Sequence, residues 1–169
     1  DYSRRRDPRR VETDLTALVR GVADFLDGEA AKVGARIEVE PPGRDVRCAV
    51  DPDLLHQVFL NLLLNALHAV EESEEPRRIR VGLRSDEDGA VVAEVADSGP
   101  GIPPDARDRV FDPFFTTKAG SRGTGLGLAV ARGIVEDHGG TVELLPAADP
   151  GTGARFRITL PPAEPTDDV

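Results

Sequence analysis

The chain has 169 residues and a formal charge of −10, which gives one domain with a core burying about 70% of its unfolded surface. That acidity excludes a general nucleic-acid surface, since such binding needs clustered Lys and Arg to neutralise phosphates. The one basic run, Arg4, Arg5, Arg6, Arg9 and Arg10, reads as a solvated chain end. Cys48 is the only cysteine, so no internal disulfide can form and a reducing compartment is expected. No apolar run approaches the ~20 residues of a membrane span and no signal peptide opens the chain, so a soluble fragment without membrane contact is expected. The chain contains no methionine, so a piece of a longer protein is expected. Aromatics are only 4% of residues against 39% hydrophobic, so Leu, Val, Ala and Ile must build the core, as suits layered helices and strands.

After a charged start, Asp14 is a candidate N-cap for a helix over residues 14–32, with Leu15, Leu18, Val19, Val22, Phe25 and Leu26 at helical spacing. Gly34 stops it. Residues 36–40 alternate as a strand before the Pro41-Pro42-Gly43 break, and 45–50 read as a second strand.

Asp51-Pro52 opens a second helix over 51–72, with Pro where its missing N–H is harmless. Leu54, Leu55, Val58, Phe59, Leu62, Leu63, Ala66, Leu67 and Val70 give it a wide apolar face that predicts packing on a sheet. Asn61, Asn65 and His68 interrupt that pattern on one side of the helix. Buried amides need partners. Either neighbouring backbone satisfies them, or their oxygens face a hydrated cation such as Mg²⁺, which keeps most of its waters.

Residues 77–84 and 90–96 form a strand pair across the turn at 85–89. Asp97-Ser98-Gly99-Pro100-Gly101-Ile102 then sets a carboxylate at a strand mouth beside two glycines. A short helix is expected over 103–110. Phe111, Phe114 and Phe115 surround Asp112-Pro113 and are expected to anchor the loop that follows rather than to stack on a ligand. That loop runs through Gly120, Gly123, Gly125 and Gly127 straight into a helix over 126–138. Glycine-rich backbone meeting a helix N-terminus makes an anion cradle. The spacing is G-x-G-x-G, which fits neither standard phosphate fingerprint.

Gly139-Gly140 caps the third helix, and 141–145 with 154–160 make a final hairpin. His56 reads as a helix-surface residue and His138 as a C-terminal cap. The predicted fold is an α+β two-layer sandwich, a mixed sheet of about five strands on three helices.

Four separated motifs agree in order. Asn61-x-x-x-Asn65 resembles the N box of sensor histidine kinases, Asp97-x-Gly99-x-Gly101 the G1 box, Phe111-Asp112-Pro113-Phe114-Phe115 the F box, and Gly123-Thr124-Gly125-Leu126-Gly127-Leu128 the G2 box. Gly151-Thr152-Gly153-Ala154-Arg155-Phe156 looks like the last glycine motif. The likeness is to the ATP-binding catalytic domain of these kinases, within the GHKL superfamily and its Bergerat fold, and it covers nearly the whole chain.

The resemblance implies ATP and Mg²⁺ as ligands. It implies that Asp97 accepts from the adenine amino group, that Asn65 coordinates Mg²⁺, and that Asn61 lies beside metal and phosphates. Residues 112–124 match the ATP lid, with Gly123, Gly125 and Gly127 aimed at phosphates. Lys118, Arg122 and His68 add charge there. Gly99, Gly101, Ile102, Phe114, Thr124, Leu126, Leu128 and Thr152 complete the implied nucleotide contacts, and Asn61 and Lys118 are the implied catalytic pair.

ATP-hydrolysing members of the superfamily carry Glu at the place of Asn61. An amide cannot accept a proton near neutral pH, which favours kinase chemistry. The phosphoacceptor is expected elsewhere, because His56-Gln57, His68-Ala69 and His138-Gly139 do not resemble its motif. Residues 1–13 then read as a connector from an absent dimerisation domain, 14–161 as the catalytic domain and 162–169 as a flexible tail. Implied partners are that domain and a downstream response regulator, in the cytoplasm, whether or not the parent is membrane-anchored. A serine kinase of the anti-sigma type and a non-catalytic nucleotide sensor are the alternatives.

Overall fold

The structure is a computed structural model that describes residues 7–74, 76–116, 125–147 and 153–163. In chain order its elements are β1 (Val11–Asp14), α1 (Leu15–Phe25), α2 (Asp27–Lys32), β2 (Ala35–Val39), β3 (Arg47–Val50), α3 (Pro52–Glu71), β4 (Arg77–Ser85), β5 (Val91–Asp97), α4 (Gly127–Asp137), β6 (Thr141–Leu144) and β7 (Arg155–Leu160). Five strands make one mixed sheet in the order β2-β4-β5-β7-β6, with β2 parallel to β4 and the rest antiparallel. Its inner face presents Ile79, Val81, Val91, Ala93, Val95, Phe156 and Ile158 to the helices, all buried. The outer face carries Arg78, Arg80 and Arg84 with Glu94, Arg155 and Arg157. This is the α+β two-layer arrangement the sequence predicts.

Helix α3 is the centre of the core. Leu55, Val58, Phe59, Leu62, Leu63, Ala66, Leu67 and Val70 are buried, and the helix packs on β4, β5, α1 and α4. The Asp51 side chain accepts from the N–H groups of Asp53 and Leu54 to start it. Arg77 closes its far end, donating to the carbonyls of Ser73 and Glu71 and, at 2.6 Å, to Val33 at the end of α2. These charge-assisted bonds tie helix α3 to the first residue of β4.

Four expectations need correction. The helix predicted over 14–32 is two helices, because Leu26 leaves helical geometry at φ −91° and ψ 0° and stays buried. Phe25, counted on the apolar face, is consequently 71% exposed. Residues 11–13, assigned to the connector, belong to β1, which pairs antiparallel with β3 in a separate two-stranded ribbon. The helix expected over 103–110 is a series of tight turns linked by Ala106→Pro103 and Arg109→Ala106 bonds, with a single 3-10 turn at Arg107–Arg109.

Cys48 is buried in the β1–β3 ribbon, and loss of solvation pushes its thiol up to about 11. It is a packing residue. No helix among the described residues is long and apolar enough to cross a membrane.

Candidate nucleotide-binding site

A cavity of about 290 Å³ opens between α3, the end of β5 and the start of α4. Asn61, Asn65 and His68 border it, as their helical spacing predicts, and so does Asp97. The two amides and the carboxylate thus share one space. The helical stripe extends further than the sequence reading took it, since Leu64, Ala69 and Glu72 also border the cavity. The signal was present: 61, 64, 65, 68, 69 and 72 follow one face at steps of three and four.

Asp97 is 9% exposed and held by backbone. Its Oδ1 accepts from the N–H of Gly99 at 2.9 Å and of Ala154 at 3.2 Å. Both contacts require small neighbours. A Cβ on Gly153 would collide with the main-chain oxygen and Oδ1 of Asp97, and one on Gly99 would lie 2.9 Å from the Ala69 backbone on α3. Gly99, one of the two glycines beside Asp97 in sequence, and Gly153 therefore seat the carboxylate. Gly99 does this from outside the cavity wall, while Gly101, at φ 80°, and Ile102 line it.

The opposite wall is the N-terminus of α4. Helices α1 and α3 start on the side chains of Asp14 and Asp51, but the N-cap of α4 is Leu126, which offers no side-chain acceptor. Gly125, Gly127 and Leu128 border the cavity there. First-turn N–H groups and the positive end of the helix dipole suit an anion at this place. Asn61 holds that wall to α3, donating its amide to the Gly127 carbonyl at 3.1 Å. Its carbonyl oxygen, and that of Asn65, are the oxygen donors a hydrated divalent ion would use. Among the described residues no cluster of three or more His, Cys, Asp or Glu side chains could hold a metal. A metal here would draw on amide and phosphate oxygens together with its own waters. Carboxylate at one end, amides in the middle, a helix N-terminus at the other, with Ile102 and Val110 between: this donor set fits a magnesium-chelated nucleotide.

The phenylalanines divide. Phe111 meets Phe156 edge-on with centroids 5.9 Å apart, and Phe115 borders the cavity beneath the Arg109 guanidinium. Those two anchor, as predicted. Phe114, implied as a nucleotide contact, does not: it is 73% exposed and turned outward by a φ of 65°. Its N–H bonds the Gly125 carbonyl at 2.8 Å, and a Cβ on Gly125 would lie 2.5 Å from its backbone. Leu126 caps α4 without lining the cavity. Lys118, Arg122, Gly123, Thr124 and Thr152 lie outside the described residues.

Residues 50–164 match the family described as histidine kinase-, DNA gyrase B-, and HSP90-like ATPase. The chain belongs to this family. It is 49% identical over 148 residues to the sensor histidine kinase ZraS of Klebsiella oxytoca, covering 88% of this chain and 30% of that protein. It therefore spans under a third of that relative's length. Among solved structures it resembles the catalytic domain of histidine kinase ThkA, with a TM-score of 0.79 and 30% identity, covering 92% of this chain and 97% of that one. ThkA has also been solved in complex with the response regulator TrrA. Full-length ShkA in complex with AMPPNP is likewise similar, with a TM-score of 0.75 and 31% identity over 90% of this chain and 31% of that one. The two-layer sheet is thus that of a histidine kinase ATP-binding domain.

Proposed function

We propose that the chain binds Mg-ATP in this cavity and delivers the γ-phosphoryl group to a histidine on a separate dimerisation domain of the same sensor kinase. The observation that carries the reading is the convergence of Asn61, Asn65 and Asp97 on one cavity that ends at the first turn of α4. Asp97 accepts from the base amino group, its orientation fixed by two backbone donors. Asn65 and Asn61 offer oxygens to Mg²⁺, which when bound neutralises phosphate charge and orients the reacting group. Backbone at Gly125 and Gly127 holds phosphate oxygens. Lys118 and Arg122 are assigned to the same charge-neutralising work, and Thr152 to the rim.

Asn61 also sets the reaction class. The Asn61 amide cannot take a proton from water, so on this reading the domain positions and neutralises while the nucleophile comes from its partner. On this reading the residues before β1 connect to the dimerisation domain, those after β7 form a tail, a response regulator receives the phosphoryl group, and the domain works in the cytoplasm.

The test is to incubate the chain with the dimerisation domain of its parent kinase and γ-labelled ATP. Acid-labile, base-stable label on the partner's histidine is expected. Acid-stable label would indicate a serine kinase, and nucleotide binding with no transfer would indicate a sensor module; either overturns the proposal.

A further inference from the structure

Helices α3 and α4 lie antiparallel and are joined at two points. Near the cavity Asn61 bonds Gly127. Ten residues back along α3 and eleven forward along α4, at about 15 Å by helical rise, the N-cap of α3 meets the C-cap of α4. There the Asp51 N–H donates to Nε2 of His138 at 3.0 Å. The other ring nitrogen, Nδ1, lies 2.8 Å from the Ile134 carbonyl and donates to it. Since Nε2 must accept, the ring is fixed as the Nδ1–H tautomer. His138 is only 3% exposed.

The incoming chain is attached at the same place. The Arg9 N–H donates to Oδ2 of Asp51 at 2.9 Å, and this bond is the main cause holding the Asp51 carboxyl below its ordinary range. The Arg10 guanidinium donates to the Asp137 carbonyl at the end of α4, 3.1 Å away. Strand β1 then runs beside β3, with Val11 opposite Val50. Asp51 thus uses Oδ1 for α3, its N–H for α4 and Oδ2 for the entering segment. Three chain segments meet on one residue.

We infer that Asp51 and His138 form an input latch: the segment arriving at Arg9 and Arg10 sets how α3 lies against α4, and so how well the Asn61–Gly127 end of the pair is arranged for nucleotide. The inference rests on the proposed nucleotide site, but the latch itself does not touch nucleotide. Asp51 and His138 are positioning residues. Helices transmit because they are stiff; a shift at one joint of an antiparallel pair must appear at the other.

The experiment uses the intact chain, wild type and with His138→Phe or His138→Gln. Ring ¹⁵N shifts of the wild type should show the Nδ1–H tautomer. An Nε2–H ring would remove the Asp51 bond and with it the latch. Without nucleotide, His138→Phe should raise amide exchange in the second turn of α4, residues 130–133, whose N–H groups bond back to the carbonyls of residues 126–129, well beyond the rise in the β4–β5 pair. Affinity for Mg-AMPPNP, measured where each protein is fully folded, should fall about three- to tenfold. His138→Gln, which carries an amide oxygen near the Nε2 position, should recover part of both. A uniform rise in exchange with unchanged affinity would mean that His138 only supports the fold, and would overturn the latch. Should His138→Phe not fold, Arg10→Ala at the exposed entry segment should give the same pattern at smaller size, and no change there would overturn it equally. Wild type that fails to bind the analogue defeats the proposed function instead, while exchange at residues 130–133 still reads the latch.

Discussion

The cavity has two walls of unlike construction. On one, Asp97 ends a strand held on both sides by β4 and β7, its Oδ1 locked by two backbone N–H groups, and Asn61 and Asn65 project from the most buried helix. On the other, the chain from Val110 to Thr116 follows tight turns up to the N-terminus of α4, held by the contacts of Phe111 and Phe115, by the turn bonds Asp112→Arg109 and Phe115→Asp112, and by the Phe114–Gly125 backbone bond. Regular elements fix atoms to fractions of an ångström, whereas turns with few apolar contacts open at small cost. On the proposed function, base recognition and metal placement sit on the first wall. The second wall can adjust to the phosphates.

If the first wall is as rigid as its geometry implies, crowding it should cause the largest loss. In Gly153→Ala the new methyl meets the Asp97 main-chain oxygen and Oδ1. Parting β5 from β7 there should cost about 2 kcal/mol in stability and lower ATP affinity about a hundredfold or more, equivalent to about 2.7 kcal/mol. Denaturant unfolding and calorimetry report the two separately. Near-normal binding would show that the Asp97 seat is softer than its packing.

Asp97→Asn is gentler. The amide oxygen can keep the two N–H bonds that Oδ1 now accepts, so stability should change by less than about 1 kcal/mol. Where the carboxylate met a base amino group, an NH₂ would now face it. ATP affinity should drop about ten- to thirtyfold, with a smaller drop for analogues lacking that amino group. An equal loss for all nucleotides would remove Asp97 from base recognition.

The turn wall should answer differently. Phe111→Ala removes the edge-on contact with Phe156 and half-buried area, about 2 kcal/mol in stability. Its effect on ATP affinity should be only about threefold, because this wall adapts. A loss as large as that of Asp97→Asn would erase the distinction between the walls.

How much of this division was readable beforehand follows from the same physics. Asn61, Asn65 and Asp97 stood out because polar side chains in apolar surroundings need a reason, and helical spacing put the amides on one face. The extent of α3 and the β4–β5 hairpin followed from apolar periodicity. Tertiary context supplied the rest. Nothing local says that Leu26 leaves helical geometry while remaining buried, or that β1 pairs with a strand over thirty residues away in a ribbon apart from the main sheet. Phe111, Phe114 and Phe115 are one residue type within five positions, and only backbone geometry separates the two anchors from the one turned outward. The role of His138 as acceptor for Asp51 joins residues 87 apart and was not visible in its helix-ending position.

The seam carrying the rigid wall also has a pH signature. Glu94 on β5 bonds Arg157 at 2.6 Å and Arg155 at 3.3 Å on β7. Chiefly through Arg157, these guanidiniums hold its carboxyl below the ordinary glutamate value. A carboxyl with a lowered folded value contributes stability that is full above its unfolded pKa of about 4.3 and lost as pH falls through the folded one. Glu94→Gln should therefore lower stability at pH 7 by under about 1 kcal/mol, the pair being partly exposed, and flatten the decline below pH ~4. An unchanged acid limb would mean the seam is held by its backbone ladder alone.

The smallest effect sharpens the comparison most. Phe114 adopts φ 65° with its ring 73% exposed, a conformation that suits Asn far better than a bulky side chain. Phe114→Asn keeps the N–H that bonds Gly125 and gives up little packing. It should raise stability by about 0.5 kcal/mol and leave ATP affinity within about twofold. If affinity instead falls tenfold with stability raised, the ring reaches the nucleotide from the turn wall after all, and the outward position belongs to the ligand-free domain. If affinity holds but transfer to the partner histidine falls, the strained backbone serves to present an aromatic ring to the dimerisation domain. Unchanged transfer and affinity would leave the strain as a consequence of how tightly Phe114 and Gly125 meet.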